Sequence, residues 1–267
     1  MNMTEELLVQ NKTVVVPGEP LAEGMGFLPS KGTYRDHEMI RAKRLGLVEI
    51  DGKVIKLVPL SGCYMPKTGD VIITQVFDVS FSGWRLDTAT AYPAMLGVKD
   101  ATSDFISRGA DLTEYYNLGD NLVVKIINVT SQKLIDVTMK GPGLRKLQGG
   151  RIIKVNPNKV PRIIGKQGSM VSMIKFATNC KIIVGQNGLI WIDGTPNEEL
   201  VAVNTIRMIE HLAHISGLTE RVKTYLETQL GKKIEEVPPM EEQAYTPAPH
   251  PNYGEGEREH RRPQRYR

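Results

Sequence analysis

The 267-residue sequence is poor in cysteine and in aromatic residues, and it has no long apolar run. Cys63 and Cys180 are the only cysteines. Two cysteines cannot build a multi-bridge disulfide framework or, alone, a thiolate zinc site. They are expected to be reduced and mostly buried, with a single bridge between them as the other option. No segment approaches the roughly 18 uninterrupted apolar residues of a membrane span. The opening "MNMTEELLVQNKTVVV" carries two acids and no basic region ahead of an apolar one. No signal peptide is therefore expected, and a cytoplasmic location without a membrane partner follows.

Catalytic patterns are also missing. There is no His-Glu-x-x-His, no Gly-Lys-Ser/Thr and no serine elbow. His211 and His214 have the i, i+3 spacing of one helix face, but no third metal ligand stands near them in sequence. His37 follows Asp36 without a nucleophile to serve. Gly24 and Gly26 lack the third glycine and the helix of a nucleotide loop. Glu241 and Glu242 fall in a polar tail, where no acid-base pair would be poised. The expectation is a chain with no catalytic residue, no metal and no cofactor.

What is present is ordinary globular material with a mild basic excess: 40% hydrophobic, 24% charged and a net charge of +4. That balance permits a nucleic-acid partner without requiring one. Glycines and prolines divide the chain into four parts. Residues 1–62 hold short β-type runs, "KTVVV", "GLVEI" and "VIKLV", separated by "PGEP", "SKG" and an Asp51-Gly52 hairpin turn. Residues 63–145 continue in β, through "DVIITQVFDVSFSG", "WRLDTATAY", "NLVVKIINVT" and "KLIDVTM". Strands at about ten-residue spacing suggest a small closed barrel. The connection "VKDATSDFISRGADLTEYYNLGD" should carry a short helix.

Residues 146–235 change character, and the predicted order is β-α-α-β-β-α. "GGRIIKVNP" reads as a strand, and "VPRIIG" and "SMVSMIKFATN" read as helices. "CKIIVGQNGLIWIDG" reads as a hairpin. Ala202, Ile206, Ile209 and Ala213 then mark one face of a longer helix. A further helix is expected over "LTERVKTYLETQL". Residues 236–267 are rich in Pro, Glu and Arg and too poor in aliphatics to offset the entropy of ordering, so a disordered tail is expected. Its basic end, "REHRRPQRYR", is either solvated or a weak, salt-sensitive grip on a phosphate backbone.

The most informative stretch is Gly165-Lys166-Gln167-Gly168, between the two short helices. Taken alone it could be a helix-turn-helix corner. Two glycines also allow a tight loop that a phosphate chain can approach closely. Ser169 then opens a helix whose first amides attract anions. Lys166 and Arg162 add positive charge, and Gln167 adds a neutral donor and acceptor. Bases could lie between this helix and the adjacent strand. The surrounding element order favours the clamp, because a GXXG loop in that place is the backbone grip of KH RNA-binding modules.

"IIGKQGSMVSMI" closely resembles the KH core, in the eukaryotic-type (type I) order. "MPKTGDVIITQVFDVSFSGWRLDT", "NLGDNLVVKIINV" and "DVTMKGPG", with Gly69-Asp70 and Gly119-Asp120 each ahead of a strand, resemble an OB barrel of the ribosomal-protein-S-one type. The N-terminal "VVVPGEPL…KGTY…GLVEI…VPLSGCYMPKTGD", the junction "GLRKLQGGRIIKVNPNKVPRIIGKQGSM" and the hairpin "VGQNGLIWIDG" resemble the cap subunits of the RNA exosome. The likeness spans residues 10 to 235. It implies a multi-domain chain: a mostly β N-terminal domain (1–62) that docks on the exosome ring, an OB β-barrel (63–145), an α+β KH domain (146–235) and the tail.

The resemblance implies a non-catalytic RNA-binding subunit. Three copies, alone or mixed with a zinc-bearing relative, would cap a hexameric ring of phosphorolytic subunits. They would capture single-stranded RNA and feed its 3′ end inward. The KH candidates are Arg162, Gly165, Lys166, Gln167, Gly168 and Ser169. On the barrel, Phe81, Trp84 and Tyr92 are candidates for stacking on bases, with Phe81 and Tyr92 equally readable as core. Arg85, Arg108, Lys125 and Lys140 are candidates for phosphate contacts. The alternative is a stand-alone RNA-binding or transcription elongation factor, but that bacterial architecture needs a second KH domain. A polynucleotide phosphorylase would need large catalytic domains and the reverse order of KH and barrel.

Overall fold

The computed structural model describes residues 6–103, 106–107, 109–213, 215 and 217–231. The expected disordered tail, 236–267, lies outside the described residues, as do Arg108 and His214. No helix among the described residues is long and apolar enough to cross a membrane.

The N-terminal part is all β, as expected, but holds more strands than its apolar runs announce. They are β1 (Glu6–Leu7), β2 (Val14–Val15), β3 (Pro20–Glu23), β4 (Leu28–Pro29), β5 (Thr33–Asp36), β6 (Met39–Ala42), β7 (Gly46–Asp51) and β8 (Val54–Pro59). They form two four-stranded sheets, β1-β3-β6-β5 and β2-β7-β8-β4. The β7–β8 hairpin turns at Asp51-Gly52, as the sequence predicts. The β5–β6 hairpin was not predicted. Its strands read "TYRD" and "MIRA", too polar to stand out, and its turn uses His37 at φ 52°. "PGEP" is correspondingly less of a loop than expected, since β3 begins at Pro20. A small core of Val15, Leu21, Ile40, Val48, Ile55 and their neighbours fills the space between the sheets.

A closed five-stranded barrel follows. Its strands are β9 (Val71–Ser80), β10 (Gly83–Asp87), β11 (Ala94–Gly97), β12 (Asn121–Val129) and β13 (Ile135–Thr138). The order is β13-β11-β10-β9-β12, and β12 pairing with β13 closes the ring. A short strand β14 (Lys146–Leu147) adds to β12. The long connection carries a four-residue helix α1 (Val98–Ala101) and a 3-10 turn at Leu112–Glu114. The two Gly-Asp pairs act alike, each starting its own strand against the partner. Gly69 N–H donates to the Ile126 carbonyl, and Asp70 carbonyl accepts from Ile126 N–H. Gly119 and Asp120 do the same with Val76. The dipeptides thus set the β9–β12 register from both ends.

The last part has the predicted KH order. Strand β15 (Arg151–Lys154) is followed by α2 (Val160–Ile164) and α3 (Ser169–Thr178). Then come β16 (Lys181–Val184), β17 (Leu189–Asp193) and α4 (Pro196–Leu212), with α5 (Leu218–Leu230) added. The sheet order is β15-β17-β16, all antiparallel. Helix α4 opens with a capping box, Thr195 with Glu198. Its predicted face of Ala202, Ile206, Ile209 and Ala213 is buried. Cys180 is buried, which raises its thiol pKa, while Cys63 is exposed rather than buried as expected; both are free.

The KH sheet has no solvent face. One side packs Ile153, Ile182, Ile190 and Ile192 against the helices. The other packs Trp191, Ile152, Ile183 and Leu189 against Val71, Ile73 and Val123 of the barrel. This double burial explains why β17 reads "LIWI" without alternation. The β16–β17 turn drives the joint home. Asn187 is 2% exposed. Its amide donates to the Ile73 and Thr88 carbonyls at 2.7 and 2.8 Å, and its oxygen accepts from Ile73 N–H at 3.4 Å. Gln186 N–H donates to the Val71 carbonyl at 2.9 Å. A Cβ on Gly185 would lie 2.6 Å from Asn187 Oδ1 and 2.9 Å from Ile73 N, so only glycine permits the approach. Trp191 Nε1 donates to the Gly149 carbonyl at 2.9 Å.

Asn187→Ala strands buried carbonyls of the barrel. It is expected to lower stability by about 2–4 kcal/mol, read by urea unfolding. A loss below about 0.5 kcal/mol would show the joint to be apolar packing alone.

Candidate nucleic-acid interface

The KH loop is built as one tight turn. Helix α2 ends where Gly165 N–H donates to the Pro161 carbonyl at 3.0 Å. Gly165 takes φ 78°, Gln167 φ 52° and Gly168 φ 77°. Three residues in the left-handed half of backbone space within four positions need glycine at most of them. At Gly165 a Cβ would also meet the Met170 Cβ and N at 2.7 Å. The Ser172 hydroxyl donates to the Gly168 carbonyl at 2.9 Å and pins the start of α3. Arg162, Lys166, Gln167 and Ser169 lie together on one loop and the two helix ends it joins; Arg162, Lys166 and Gln167 reach solvent there. Arg162 and Lys166 have no ion-pair partner among the described residues. Positive charge, open backbone and a helix N-terminus therefore converge there, which suits a phosphate chain.

The barrel candidates separate into three groups. Trp84 is a correction: it is 0% exposed inside the barrel, so it cannot stack on a base. Its indole donates to the Tyr116 carbonyl at 2.9 Å and meets the Tyr116 ring edge-on at 5.2 Å. The register explains it, because Trp84 pairs with inward-facing Val79. Tyr92 is half-buried against the barrel core, and its carbonyl accepts from the Thr88 and Thr90 hydroxyls. It is core-side rather than a free platform. Phe81 is the opposite case. It sits at the tip of the β9–β10 turn, 98% exposed.

Arg85 is exposed on β10, its guanidinium 5.2 Å above the Phe77 ring and 3.7 Å from Asp78. Met95 lies beside it in register on β11 and is exposed. Phe77 and Met95 were missed from sequence. Phe77 shares the outward parity of exposed Gln75, and the bulge opposite Arg85 and Leu86 shifts the β9 parity only beyond it, turning Val79 inward against Trp84. Lys125 on β12 and Lys140 after β13 are both exposed. Because the KH sheet covers Ile73 and Val123, the β10–β11 face is the side of the barrel left open. It presents Phe81, Phe77, Arg85 and Met95, a mix of stacking surface and charge that suits single-stranded nucleic acid. Among the described residues no cluster of three or more His, Cys, Asp or Glu is placed to hold a metal.

Fold and site together define a chain in which an OB-like barrel is packed against a KH module. A family model described as KH domain matches residues 150–198. The exosome complex component Rrp4 of Pyrococcus abyssi is 40% identical over 248 residues, covering 90% of this chain and 93% of that protein. The Rrp4 of Picrophilus torridus is 41% identical over 220 residues, covering 82% and 94%. A crystal structure described as that of an exosome complex RNA-binding protein aligns with a TM-score of 0.56 at 31% identity, over 63% of this chain and 97% of its own. The chain belongs to the Rrp4 family of exosome complex components.

The two exposed-versus-buried aromatics give a direct check. Trp84→Ala is expected to cost about 3–5 kcal/mol of stability as a core truncation. Phe81→Ala should stay within about 0.5 kcal/mol. Chemical denaturation of both variants reads the difference, and equal effects would contradict the barrel register.

Proposed function

We propose that the chain is a non-catalytic RNA-binding subunit of an archaeal exosome, acting in the cytoplasm. It holds single-stranded RNA on the KH loop and on the open barrel face and delivers the 3′ end to degrading subunits. The observation that carries this reading is the intact Gly165–Gly168 loop on a KH unit locked to a barrel whose free face bears Phe81 and Arg85. Arg162, Lys166 and the amides at the start of α3 bind phosphate. Gly165 and Gly168 admit it, and Gln167 and Ser169 supply neutral hydrogen bonds. Lys125 and Lys140 add charge along the strand's path, and Arg108 is a further candidate for a phosphate contact. The subunit makes and breaks no bond itself.

The same reading gives residues 1–62 the docking role on a hexameric phosphorolytic ring. Three such subunits, or a mixture with a zinc-bearing relative, form the cap. What supports a docking role is a row of apolar side chains across three adjacent strands. Val14 pairs with Leu47, and Leu47 with Val58. Val14 and Val58 are about half exposed and Leu47 partly so. With Val54 and exposed Leu28 on the same face, these contiguous apolar side chains mark a protein contact. A stand-alone RNA-binding factor has no use for it.

Lys166→Glu reverses an unpaired charge at the loop and should leave the fold intact. It is expected to weaken binding of a single-stranded oligoribonucleotide about tenfold in filter binding, or about 1.4 kcal/mol. Unchanged affinity would remove the KH loop from the RNA site. Val14→Glu combined with Val58→Glu should abolish co-purification with ring subunits and leave RNA affinity in place. Persisting co-purification would assign docking to another surface.

A further inference from the structure

Beside the joint of barrel and KH unit lies an open cleft of about 400 Å³ whose lining residues have no part in the RNA surfaces described above. The barrel lines it with a row of polar side chains across three adjacent strands. Asp87 on β10 pairs in register with Gln75 on β9, and Gln75 pairs in register with Asn121 on β12. Side chains directly opposite one another on a sheet face stand about 5 Å apart, so the row forms one continuous hydrogen-bonding edge. The KH side contributes Ile152, Leu189 and Gly149, which are apolar or lack a side chain. Gly149 takes φ 64°, and no atom lies within 4 Å of where a Cβ would stand. Its carbonyl is held by the Trp191 indole at 2.9 Å.

Asp87 is the one charged side chain among the lining residues. It has no cationic partner among the described residues, and neighbouring Arg85 lies 3.7 Å from Asp78 instead. Asp87 Oδ1 accepts from Ala89 N–H at 2.8 Å, which orients the carboxylate and leaves Oδ2 open. Gln75 Nε2 donates to the Gly119 carbonyl at 3.2 Å and keeps its second hydrogen available. The Asn121 side chain has no hydrogen-bond partner among the described residues. With no lysine or arginine in the lining, the cleft does not suit phosphate. A simple ammonium would use Asp87 and leave both amides and the apolar side idle. A nucleobase uses them all, with its face on apolar side chains and its edge on polar ones.

The order of the row distinguishes among bases. Along its edge guanine presents two donors, the N2 amino group and N1–H, then the O6 acceptor, then the N7 acceptor. An acceptor-only carboxylate followed by two amides matches that order. Adenine places the N1 acceptor where Asp87 needs a donor, and uracil offers a single N–H and no N7. Phe77 lies two residues beyond Gln75 with the same outward parity on β9, about 7 Å away. A strand with one base on Phe77 therefore brings a neighbouring base to the cleft.

We propose that Asp87, Gln75 and Asn121 form a slot that reads an unpaired guanine of single-stranded RNA. Asp87 accepts from N1–H and the N2 amino group, Gln75 donates to O6, and Asn121 donates to N7. Ile152 and Leu189 cover the ring. This inference rests on the RNA-binding reading above and adds a base preference to it.

The test uses the full chain and labelled oligouridylates of one length, carrying at the centre a uridine, guanosine, adenosine or inosine. The guanosine oligonucleotide should bind about five- to tenfold more tightly than the all-uridine one, as one well-placed base contact gives. Inosine, which lacks the N2 amino group, should fall between them, and adenosine should match uridine. Asp87→Asn keeps the shape and the bond from Ala89 but turns an acceptor into a donor. It should erase the ratio of guanosine to uridine affinity, a readout that a general weakening does not imitate. Asn121→Ala should reduce that ratio about threefold. Equal affinity for guanosine and uridine, with Lys166→Glu weakening both, would overturn the slot and leave the KH loop standing. Adenosine bound as tightly as guanosine would reduce the preference to stacking and overturn the slot. So would a guanosine preference that persists in Asp87→Asn. Loss of co-purification with ring subunits in Asp87→Asn, without any base preference in the unmodified chain, would give the cleft to a basic side chain of a protein partner. Failure of the unmodified chain to bind any of the four oligonucleotides would overturn both the slot and the RNA-binding reading.

Discussion

The amide of Asn187 is the constraint on which the rest of the arrangement depends. Its donors reach two barrel carbonyls and its acceptor takes a barrel N–H, all out of water. Such an amide is costly if any partner is withdrawn. The hairpin that carries it therefore has one acceptable position against β9. Once that position is fixed, Trp191 and Leu189 must cover Ile73 and Val123, and the KH sheet loses its solvent face. The barrel in turn gives up its β9–β12 side and keeps the β10–β11 side open.

Much of this was legible in sequence where local chemistry and period agree. The KH order, the α4 face and the β7–β8 turn all follow from spacing and punctuation. The Gly-Asp pairs could be recognised by resemblance, but their reciprocal bonding to Ile126 and Val76 is a tertiary fact. Other features were hidden for definite reasons. The strands around Tyr34 and Ile40 are polar on one side and only four residues long. Trp84 shares the inward parity of Leu86 on β10 and Phe77 the outward parity of Gln75 on β9, but which phase faces the core is set by closure of the barrel and not by either strand alone.

The surfaces of the molecule divide by chemistry. The outer row of the N-terminal sheet is apolar and offers no charge to a phosphate chain beyond the Lys56–Glu49 pair beside it. The open barrel face combines aromatic area with Arg85. The KH loop offers backbone and an uncompensated lysine. The apolar row and the cationic surfaces thus lie in separate parts of the sequence, which suits the proposed division between a protein partner and RNA.

The buried hairpin also has a consequence for biosynthesis. The barrel precedes the KH segment in the chain, so Ile73, Val123 and the waiting carbonyls of Ile73 and Thr88 are made first. A KH segment folding without them would expose Trp191, Ile152, Ile183 and Leu189 on a bare sheet face. The barrel then serves as a template on which the later sheet is laid down. Folding acquires a direction along the chain, with the clamp completed only after the surface that holds it already exists.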